Sequence, residues 1–182
     1  MSKSKVLVQL SGSIAAYKTC YLVSKLVQNG YEVKTVASKG ALEFVGKATL
    51  EGLSGNPVFS DVYEEGRMID HIHLSKWADI AIVAPASANV INKLAQGLAD
   101  DPIGTLFLSW DLKAKPYWVA PAMNQQMFAH PATQAALSTL KGWGVRFLMG
   151  EEGHQACGDI GPGRMIEPDE IYKTVFANVM ER

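Results

Sequence analysis

A thiol and a carboxylate lie two residues apart in a glycine-rich stretch near the end of the chain. The stretch is HQACGDIGPGRM, residues 154–165, and it holds Cys157, one of two cysteines, together with Asp159. Three glycines and a proline exclude the interior of a regular helix or strand, so we expect a loop. A thiol on such a loop is either an inert surface group or a group that reacts with a bound ligand.

Two histidines, His71 and His73, stand close together in MIDHIHLSKWAD. If this segment is extended, their side chains share one face. Two imidazoles could bind a metal, but no third ligand follows at a suitable spacing, and we predict no metal site. A single His acting as a base near neutral pH is the better hypothesis. The structural alternative is an ordinary surface or hydrogen-bonded histidine.

An asparagine, Asn124, follows an apolar pair in the stretch APAMNQQMF. Its amide has donors and an acceptor, and it could hold a carboxylate or an amide in an apolar pocket. The alternative for Asn124 is a helix N-cap. Core filling is the alternative for Met123 and Met127, and it is favoured for Met127.

Small residues end two predicted strands and could cradle a phosphate. Ser11, Gly12 and Ser13 in LSGSIAAYK lie where backbone N–H groups of a helix start would bind an anion. Neither G-x-G-x-x-G nor the Walker pattern is present, and a tight turn with Ser13 as N-cap is an equal alternative. Ser38 and Gly40 in VASKGA repeat the arrangement and favour a phosphorylated ligand.

A third strand end, APASANV, combines a strand stop with a helix start. Pro85 would stop the strand and Ser87 would cap the next helix. Capping explains Ser87 but leaves Asn89 unexplained, in the first helical turn near the edge of the sheet.

Strands and helices alternate along the chain, which positions these loops. Short apolar runs predict strands at 5–10, 32–38, 78–87, 116–123 and 145–149. Helical spacing predicts helices at 14–30, about 41–53, 88–100, 131–144 and 168–182. The strands are apolar on both faces, which favours a parallel sheet covered by helices on both sides. We therefore predict one doubly wound α/β domain over residues 1–182, Rossmann-like or flavodoxin-like, with ligands beyond the carboxyl ends of its strands.

Composition is that of an ordinary globular protein, with 48% hydrophobic and 19% charged residues. A net charge of -1 and a pI of about 6.4 favour neither nucleic acid nor an anionic membrane as a partner. The first apolar run is too short for a signal peptide or a membrane span. The two cysteines are far apart, so we expect reduced thiols and a cytoplasmic protein.

Taken together, SGSIAAYK, HIHLSKWAD, PASANV, PAMNQQM and ACGDIGPGRM resemble, in this order, the motifs of the homo-oligomeric flavin-containing cysteine decarboxylases. The resemblance covers about residues 5–179. It implies decarboxylation of 4'-phosphopantothenoylcysteine to 4'-phosphopantetheine in coenzyme A biosynthesis. It also implies FMN as the cofactor, a homotrimer or a dodecamer of trimers, and a flavin that lies between subunits.

The resemblance also assigns roles to residues. It implies His71 as the base, Asn124 as the holder of the substrate carboxylate, and Cys157 as the proton donor on a mobile clamp. The implied flavin site consists of Gly12, Ser13, Ile14, Ser38, Ser87, Ala88 and Asn89. Further substrate contacts are implied for Met123, Ala156, Gly158 and Asp159. The glycines that would let the clamp close are Gly158, Gly161 and Gly163.

Three positions depart from the family pattern. Val90 stands where Thr is usual, Phe128 where Trp is usual, and His73 where Glu is common. The last leaves open whether His73 assists His71. The chain ends at Arg182, so we expect no fused ligase domain like that of many bacterial relatives.

Other functions remain alternatives on the sequence. A peptidyl-cysteine decarboxylase of lantibiotic maturation would share the His and Asn motifs but typically lacks the A-C-G-D cysteine. A flavin prenyltransferase would not carry P-A-M-N. A flavin-binding regulatory subunit would carry long extensions, and a flavodoxin-like electron carrier would need none of His71, Asn124 or Cys157.

Overall fold

Five parallel strands form the central sheet of the protein. The computed structural model describes residues 4–150, 153–154 and 160–176. The strands are β1 Lys5–Leu10, β2 Glu32–Ala37, β3 Ile80–Ala86, β4 Tyr117–Pro121 and β5 Arg146–Phe147. Their order is β2-β1-β3-β4-β5, and every pair is parallel. This is the flavodoxin-like arrangement, and it confirms the predicted fold class.

Helices cover both faces of this sheet. They are α1 Ala16–Gln28, α2 Lys47–Ser54, α3 Asp70–Trp77, α4 Ala88–Ala95, α5 Pro102–Leu108, α6 Gln125–Ala129, α7 Pro131–Gly142 and α8 Pro168–Phe176. One hydrophobic core lies beneath α1, α2 and α8, and the other beneath α3, α4, α5 and α7. All seven residues of β3 are buried, because this strand lies between two helical layers.

The reversal of strand order marks where a ligand can bind. β1 pairs with β2 on one side and with β3 on the other, so the chain leaves β1 and β3 toward opposite sides of the sheet. A crevice opens at the carboxyl ends of strands at such a point. The loops with small residues, which follow β1, β2, β3 and β4, all lie at that edge.

Several predicted boundaries are wrong. The helix predicted at about 41–53 is a 3-10 turn at Ala41–Glu43 followed by α2, because the backbone of Gly46 is extended and interrupts it. The helix predicted at 88–100 ends at Ala95. The fifth strand has only two residues in the sheet, and the chain then turns so that Met149 bridges to Met165.

Three helices were not among the predicted elements: α3, α5 and α6. α5 has recognisable start signals, since Pro102 occupies its first turn and Asp101 Oδ1 accepts a hydrogen bond from Gly104 N at 2.9 Å. α3 buries only Leu74 and Ser75, so its sequence has little helical periodicity. Among the described residues, none of the helices is both long and apolar enough to cross a membrane.

Candidate active site

Ser11 joins the carboxyl ends of the two central strands. Its Oγ donates to the carbonyl of Pro85 at 2.8 Å and accepts from Ser87 N at 2.8 Å. A second bond runs from Ser11 N to Pro85 O at 3.2 Å. The loops that follow β1 and β3 are therefore fixed to each other by one buried hydroxyl.

The β1 and β2 loops touch each other through glycines. A Cβ atom on Gly12 would lie 3.1 Å from the backbone carbon and oxygen of Gly40, closer than such contacts normally allow. Ser38 is 9% exposed, and its Oγ accepts from Ala41 N at 3.2 Å. Ser13 Oγ accepts from Ala15 N at 3.3 Å, so it shapes the turn before α1 and is not the N-cap of that helix. The loops thus present mainly backbone at the edge of the sheet.

Apolar side chains stand exposed around these loops. Ile14 is 58% exposed and Phe44 is 51% exposed. Asn89 is exposed at the start of α4, where Ser87 Oγ caps the helix by accepting from Val90 N at 3.4 Å. Exposed apolar groups beside the backbone N–H groups at a helix start suit a ligand with an aromatic ring system and an anionic group, so the residues fit a flavin phosphate.

A shallow groove continues from this edge toward the fourth strand. It has a volume of about 300 Å³ and is lined by Ala88, Gln126, Met127, His130 and Thr133. Its lining is mostly apolar, and Met127 is 49% exposed, so this methionine does not fill the core. The groove connects the β3 loop with the helix that begins at Asn124.

Asn124 is half-buried and caps α6. Its Oδ1 accepts a hydrogen bond from Met127 N at 2.9 Å, which confirms the capping interpretation. The cap uses the acceptor of the amide, while the two amide hydrogens are the donors that a carboxylate would need. Capping and ligand contact are therefore compatible for this residue.

Two short antiparallel strands form part of the glycine-rich stretch, one at its start and one in its second half. β6 Gly153–His154 pairs with β7 Ile160–Gly161, so our expectation of a loop throughout 154–165 is wrong at both of these strands. The predicted residues Ala156, Cys157, Gly158 and Asp159 lie outside the described residues. The chain that follows them packs against the Asn124 loop, where Met123 N donates to Gly163 O at 2.9 Å.

Two of the glycines expected to be hinges pack tightly in the structure. A Cβ atom on Gly161 would lie 2.5 Å from Gln125 Oε1, and one on Gly163 would lie 2.6 Å from Met123 O. Gly163 also has a φ of 107°, a conformation that other residues rarely adopt. Gly163 therefore permits close approach of its backbone to that of Met123, and Gly161 leaves room for the side chain of Gln125. The role of these glycines as hinges stays a prediction.

We expect Gly163→Ala to lower the thermal stability of the protein. The new methyl group has an unfavourable φ and collides with Met123 O, and the cost is roughly 1–3 kcal/mol. That corresponds to a Tm lower by about 2–10 °C in a calorimetric scan. Gly66→Ala is the matched control, because Gly66 has a φ of 78° but open space around its Cβ position. Equal Tm losses for the two variants would show that the contact with Met123 contributes nothing.

His71 and His73 lie on a helix, so our expectation that they share one face of an extended segment is wrong. Residues two apart are turned about 200° around a helix axis. The side chain of His73 is 64% exposed and lies 3.9 Å from Asp70. In contrast, Nδ1 of His71 is buried and has no hydrogen-bond partner within the described part of the chain. Only one of the two imidazoles is therefore partly enclosed, and it is His71.

His71 makes no direct polar contact with the predicted flavin loops of a single chain. α3 ends near the amino edge of the sheet, where Asp79 Oδ2 accepts from Lys5 N at 2.8 Å, and His71 lies in the first turn at the opposite end of this helix. Within the described residues, no hydrogen bond joins His71 to the loops of Ser13, Ser87 or Asn124.

Sequence reasoning missed the residue that joins the two central loops, Ser11. It was noted only as a small residue, because its hydroxyl partners are 74 and 76 positions away along the chain. A serine directly after a buried strand is the only local sign of this role.

Comparison with known proteins identifies relatives along the whole chain. A family model described as Flavoprotein matches residues 1–180. The coenzyme A biosynthesis bifunctional protein CoaBC of Bacillus subtilis is 45% identical over 175 residues, which are 95% of this chain and 42% of the relative. CoaBC of Escherichia coli K12 is 40% identical over 180 residues, 98% of this chain and 44% of the relative. The chain thus spans less than half the length of these curated relatives.

Two solved structures match this chain over nearly the whole length of both proteins. A cysteine-to-serine mutant of a PPC decarboxylase, complexed with pantothenoylaminoethenethiol, is 34% identical with a TM-score of 0.85, and the match covers 99% of this chain and 100% of that chain. The FMN binding protein AtHal3 is also 34% identical, with a TM-score of 0.83 and coverage of 99% and 98%. Both structures match the described fold and have nearly the same extent as this chain.

Proposed function

This chain belongs to the Flavoprotein family, and from that premise we propose that it is an FMN-dependent decarboxylase. Its substrate is 4'-phosphopantothenoylcysteine, and its products are 4'-phosphopantetheine and carbon dioxide. The observation that carries this proposal is the similarity to a PPC decarboxylase at 34% identity over 99% of this chain and 100% of the other. The CoaBC relatives of coenzyme A biosynthesis support the same reaction.

The loops at the carboxyl edge are the site for FMN. Backbone N–H groups at Gly12, Ser13 and Ile14 are placed for the phosphate, and Ser38 supports them from the β2 loop. Ser87, Ala88 and Asn89 follow β3 and line the same edge as the exposed Ile14 side chain. When bound, FMN supplies the two-electron acceptor and donor that no side chain of this protein can provide.

An electron acceptor is needed because a simple cysteine carboxylate cannot lose carbon dioxide easily. Loss of carbon dioxide would leave an unstabilised carbanion. Oxidation of the substrate thiol to a thioaldehyde removes a hydride from Cβ and a proton from sulfur. The carboxylate is then β to a C=S group, so carbon dioxide loss gives a delocalised enethiolate. Return of the hydride to Cβ, with a proton to Cα, gives the saturated thiol without net redox change.

His71 is the base that removes the proton in the oxidation. A histidine suits this role because an imidazole titrates near neutral pH. The partial enclosure of His71 supports this choice over the exposed His73.

Asn124, at the start of α6, holds the substrate carboxylate next to the groove lined by Ala88, Gln126 and Met127. Its two amide hydrogens donate to the carboxylate, while Oδ1 accepts the hydrogen bond from Met127 N. Both of these donors are neutral. Met123 precedes Asn124 and packs against the second hydrophobic core. A neutral donor favours decarboxylation, because it does not stabilise the carboxylate as strongly as a cation would.

Cys157 donates the proton that completes the reaction. We assign Ala156, Gly158 and Asp159 to the same substrate-contacting segment. The chain that follows this segment is bonded to the Asn124 loop through Gly163, which supports a common site for the two motifs.

A carbon dioxide assay tests the proposed function. We expect release from 4'-phosphopantothenoylcysteine and little release from a peptide that ends in cysteine. The peptide is the discriminating substrate, because an FMN-dependent cysteine decarboxylase, SpaF, shares the fold with a TM-score of 0.81 at 25% identity. Release from the peptide alone would assign the chain to peptidyl-cysteine decarboxylation, and release from neither by FMN-loaded protein would overturn the proposal.

The active unit is a homotrimer, alone or assembled into a dodecamer, with the flavin between subunits. Large apolar side chains near the edge are exposed in a single copy, namely Ile14, Tyr17, Tyr21, Phe44 and Met127. Within the described residues, His71 has no hydrogen bond to the flavin loops of its own chain, which is compatible with a site completed by a second copy. Sedimentation tests this proposal, and a monomer with full activity would contradict it.

Reduced thiols and the biosynthetic substrate favour the cytoplasm as the location of the protein.

Replacing Asn124 by aspartate should raise KM for the substrate by about tenfold or more. The aspartate keeps the N-cap acceptor for Met127 N but places a like charge against the substrate carboxylate. Asn124→Ser is the matched control, since serine also caps helices and adds no charge. A wild-type KM for Asn124→Asp would leave Asn124 with a capping role alone.

A further inference from the structure

The connection from α5 to β4, residues 109–116, holds the helix that carries His71 at both of its ends. At the carboxyl end of α3, the ammonium of Lys115 donates to the carbonyls of Ser75, Lys76 and Ala78. The three distances are 3.0, 3.1 and 2.8 Å. The last carbonyls of a helix lack partners within the helix, and an ammonium has three hydrogens to satisfy them.

Lys115 is itself held in place by the turn from which it extends. Its backbone N donates to Asp111 O at 3.0 Å, and its carbonyl accepts from Trp110 Nε1 at 3.2 Å. The ammonium also lies 5.4 Å from the centre of the Trp110 ring, within the range of a cation–π interaction. Trp110 is 6% exposed and belongs to the second hydrophobic core, so Lys115 is anchored to the interior of the protein.

Ser109 makes the contact at the other end of α3. Its Oγ lies 3.2 Å from the carbonyl oxygen of His71 and 2.9 Å from that of Leu106. One hydroxyl hydrogen serves these two acceptors, and the first of them is the backbone of His71 itself. The connection therefore contacts α3 at His71, in the first turn of the helix, and again at the carboxyl end of the same helix.

The apolar contacts of α3 come from two side chains. Leu74 belongs to the second hydrophobic core, and Trp77 is partly buried against it. Of the eight residues of α3, only Leu74 and Ser75 are buried, at 7% and 6% exposed. A short helix with so small a buried face depends on polar contacts at its ends for a single position. The same connection continues directly into β4, the strand that leads to Asn124.

We propose that Lys115 and Ser109 are positioning residues that set the location of the His71 imidazole. This inference rests on the proposed role of His71 as the base of the decarboxylation. Lys115 touches neither of the proposed FMN loops, and it acts through α3. Loss of its ammonium frees the carboxyl end of the helix and allows α3 to shift along its axis.

The test is a single-turnover measurement of flavin bleaching in FMN-loaded Lys115→Met after addition of 4'-phosphopantothenoylcysteine. We expect the rate constant per flavin to fall roughly tenfold, because small displacements of a reacting group carry large rate costs. The amplitude per bound flavin and KM should stay as in the wild type. Lys113→Met is the matched control, since Lys113 is exposed on the same turn and should leave the rate constant unchanged.

The rate constant and the amplitude separate positioning from a merely structural role. A structural defect lowers the fraction of competent sites, and so lowers the amplitude at an unchanged rate constant. That result, or a wild-type rate constant, or equal slowing in Lys113→Met, would overturn the proposal. If Lys115→Met does not fold, Ser109→Ala gives the same test at the other end of α3. A wild-type protein that binds FMN but shows no bleaching would instead contradict the proposed function.

Discussion

Replacing Cys157 by serine is expected to limit carbon dioxide release to about one turnover per bound flavin. The oxidation and the loss of carbon dioxide precede the step that needs this proton donor, so they should survive. Serine keeps the shape of cysteine, but a hydroxyl is a far weaker acid than a thiol, whose ordinary pKa is about 8.5. The enethiol should therefore accumulate, and the visible flavin absorbance should stay bleached.

Rapid mixing with substrate, followed by mass analysis of the product, measures this outcome. The expected product lacks two hydrogen atoms relative to 4'-phosphopantetheine. Cys20→Ser is the matched control, because Cys20 is half-buried on α1 and burial raises the pKa of its thiol. That variant should turn over at the wild-type rate. Wild-type turnover by Cys157→Ser would mean that the cysteine has no chemical role.

His71→Asn should stop the reaction before any carbon dioxide is lost. Without a base at this position the substrate thiol keeps its proton, and the flavin absorbance should not change when substrate is added. We expect carbon dioxide release to fall by about 10²–10⁴-fold, the range of a general-base contribution. The FMN content should remain at the wild-type level, because no hydrogen bond joins His71 to the flavin loops of its own chain within the described residues.

His73→Asn is the matched control for this prediction. It makes the same substitution two residues away on α3, at a side chain that is 64% exposed. Near wild-type release by His73→Asn would show that His73 does not assist His71. Equal losses in the two variants would contradict the assignment of the base. If both Cys157→Ser and His71→Asn leave the flavin oxidised, the thiol acts earlier than we propose.

The main sheet could be predicted because its signals are local. The runs at β1, β2, β3 and β4 are apolar on both faces, and a strand with that pattern has to be covered by helices on both sides. Parallel strands place their carboxyl ends at one edge, so the loops that follow them were expected to converge there. The caps at Ser87 and Asn124 were also predictable, since each is one side chain bonded to the backbone three residues later.

The sequence could not indicate α3 or the separation of its histidines. Only Leu74 and Ser75 are buried in this helix, so no apolar period distinguishes it from an extended segment. Its polar contacts at both ends come from Ser109 and Lys115, which are 37 or more residues away along the chain. Contacts at such separations leave no local pattern.

The amino-acid sequence alone thus determined the order along the chain of the strands in the main sheet, the small-residue loops and the two helix caps, because each depends on neighbours a few residues apart. Only the tertiary structure showed that Gly163 is a position of close approach, since a Cβ atom there would lie 2.6 Å from Met123 O. Likewise, the bridge of Ser11 to Pro85 and Ser87 forms only after β1 and β3 pair. Sheet pairing brings these distant backbone groups within hydrogen-bond distance, and no local pattern in the sequence indicates this contact.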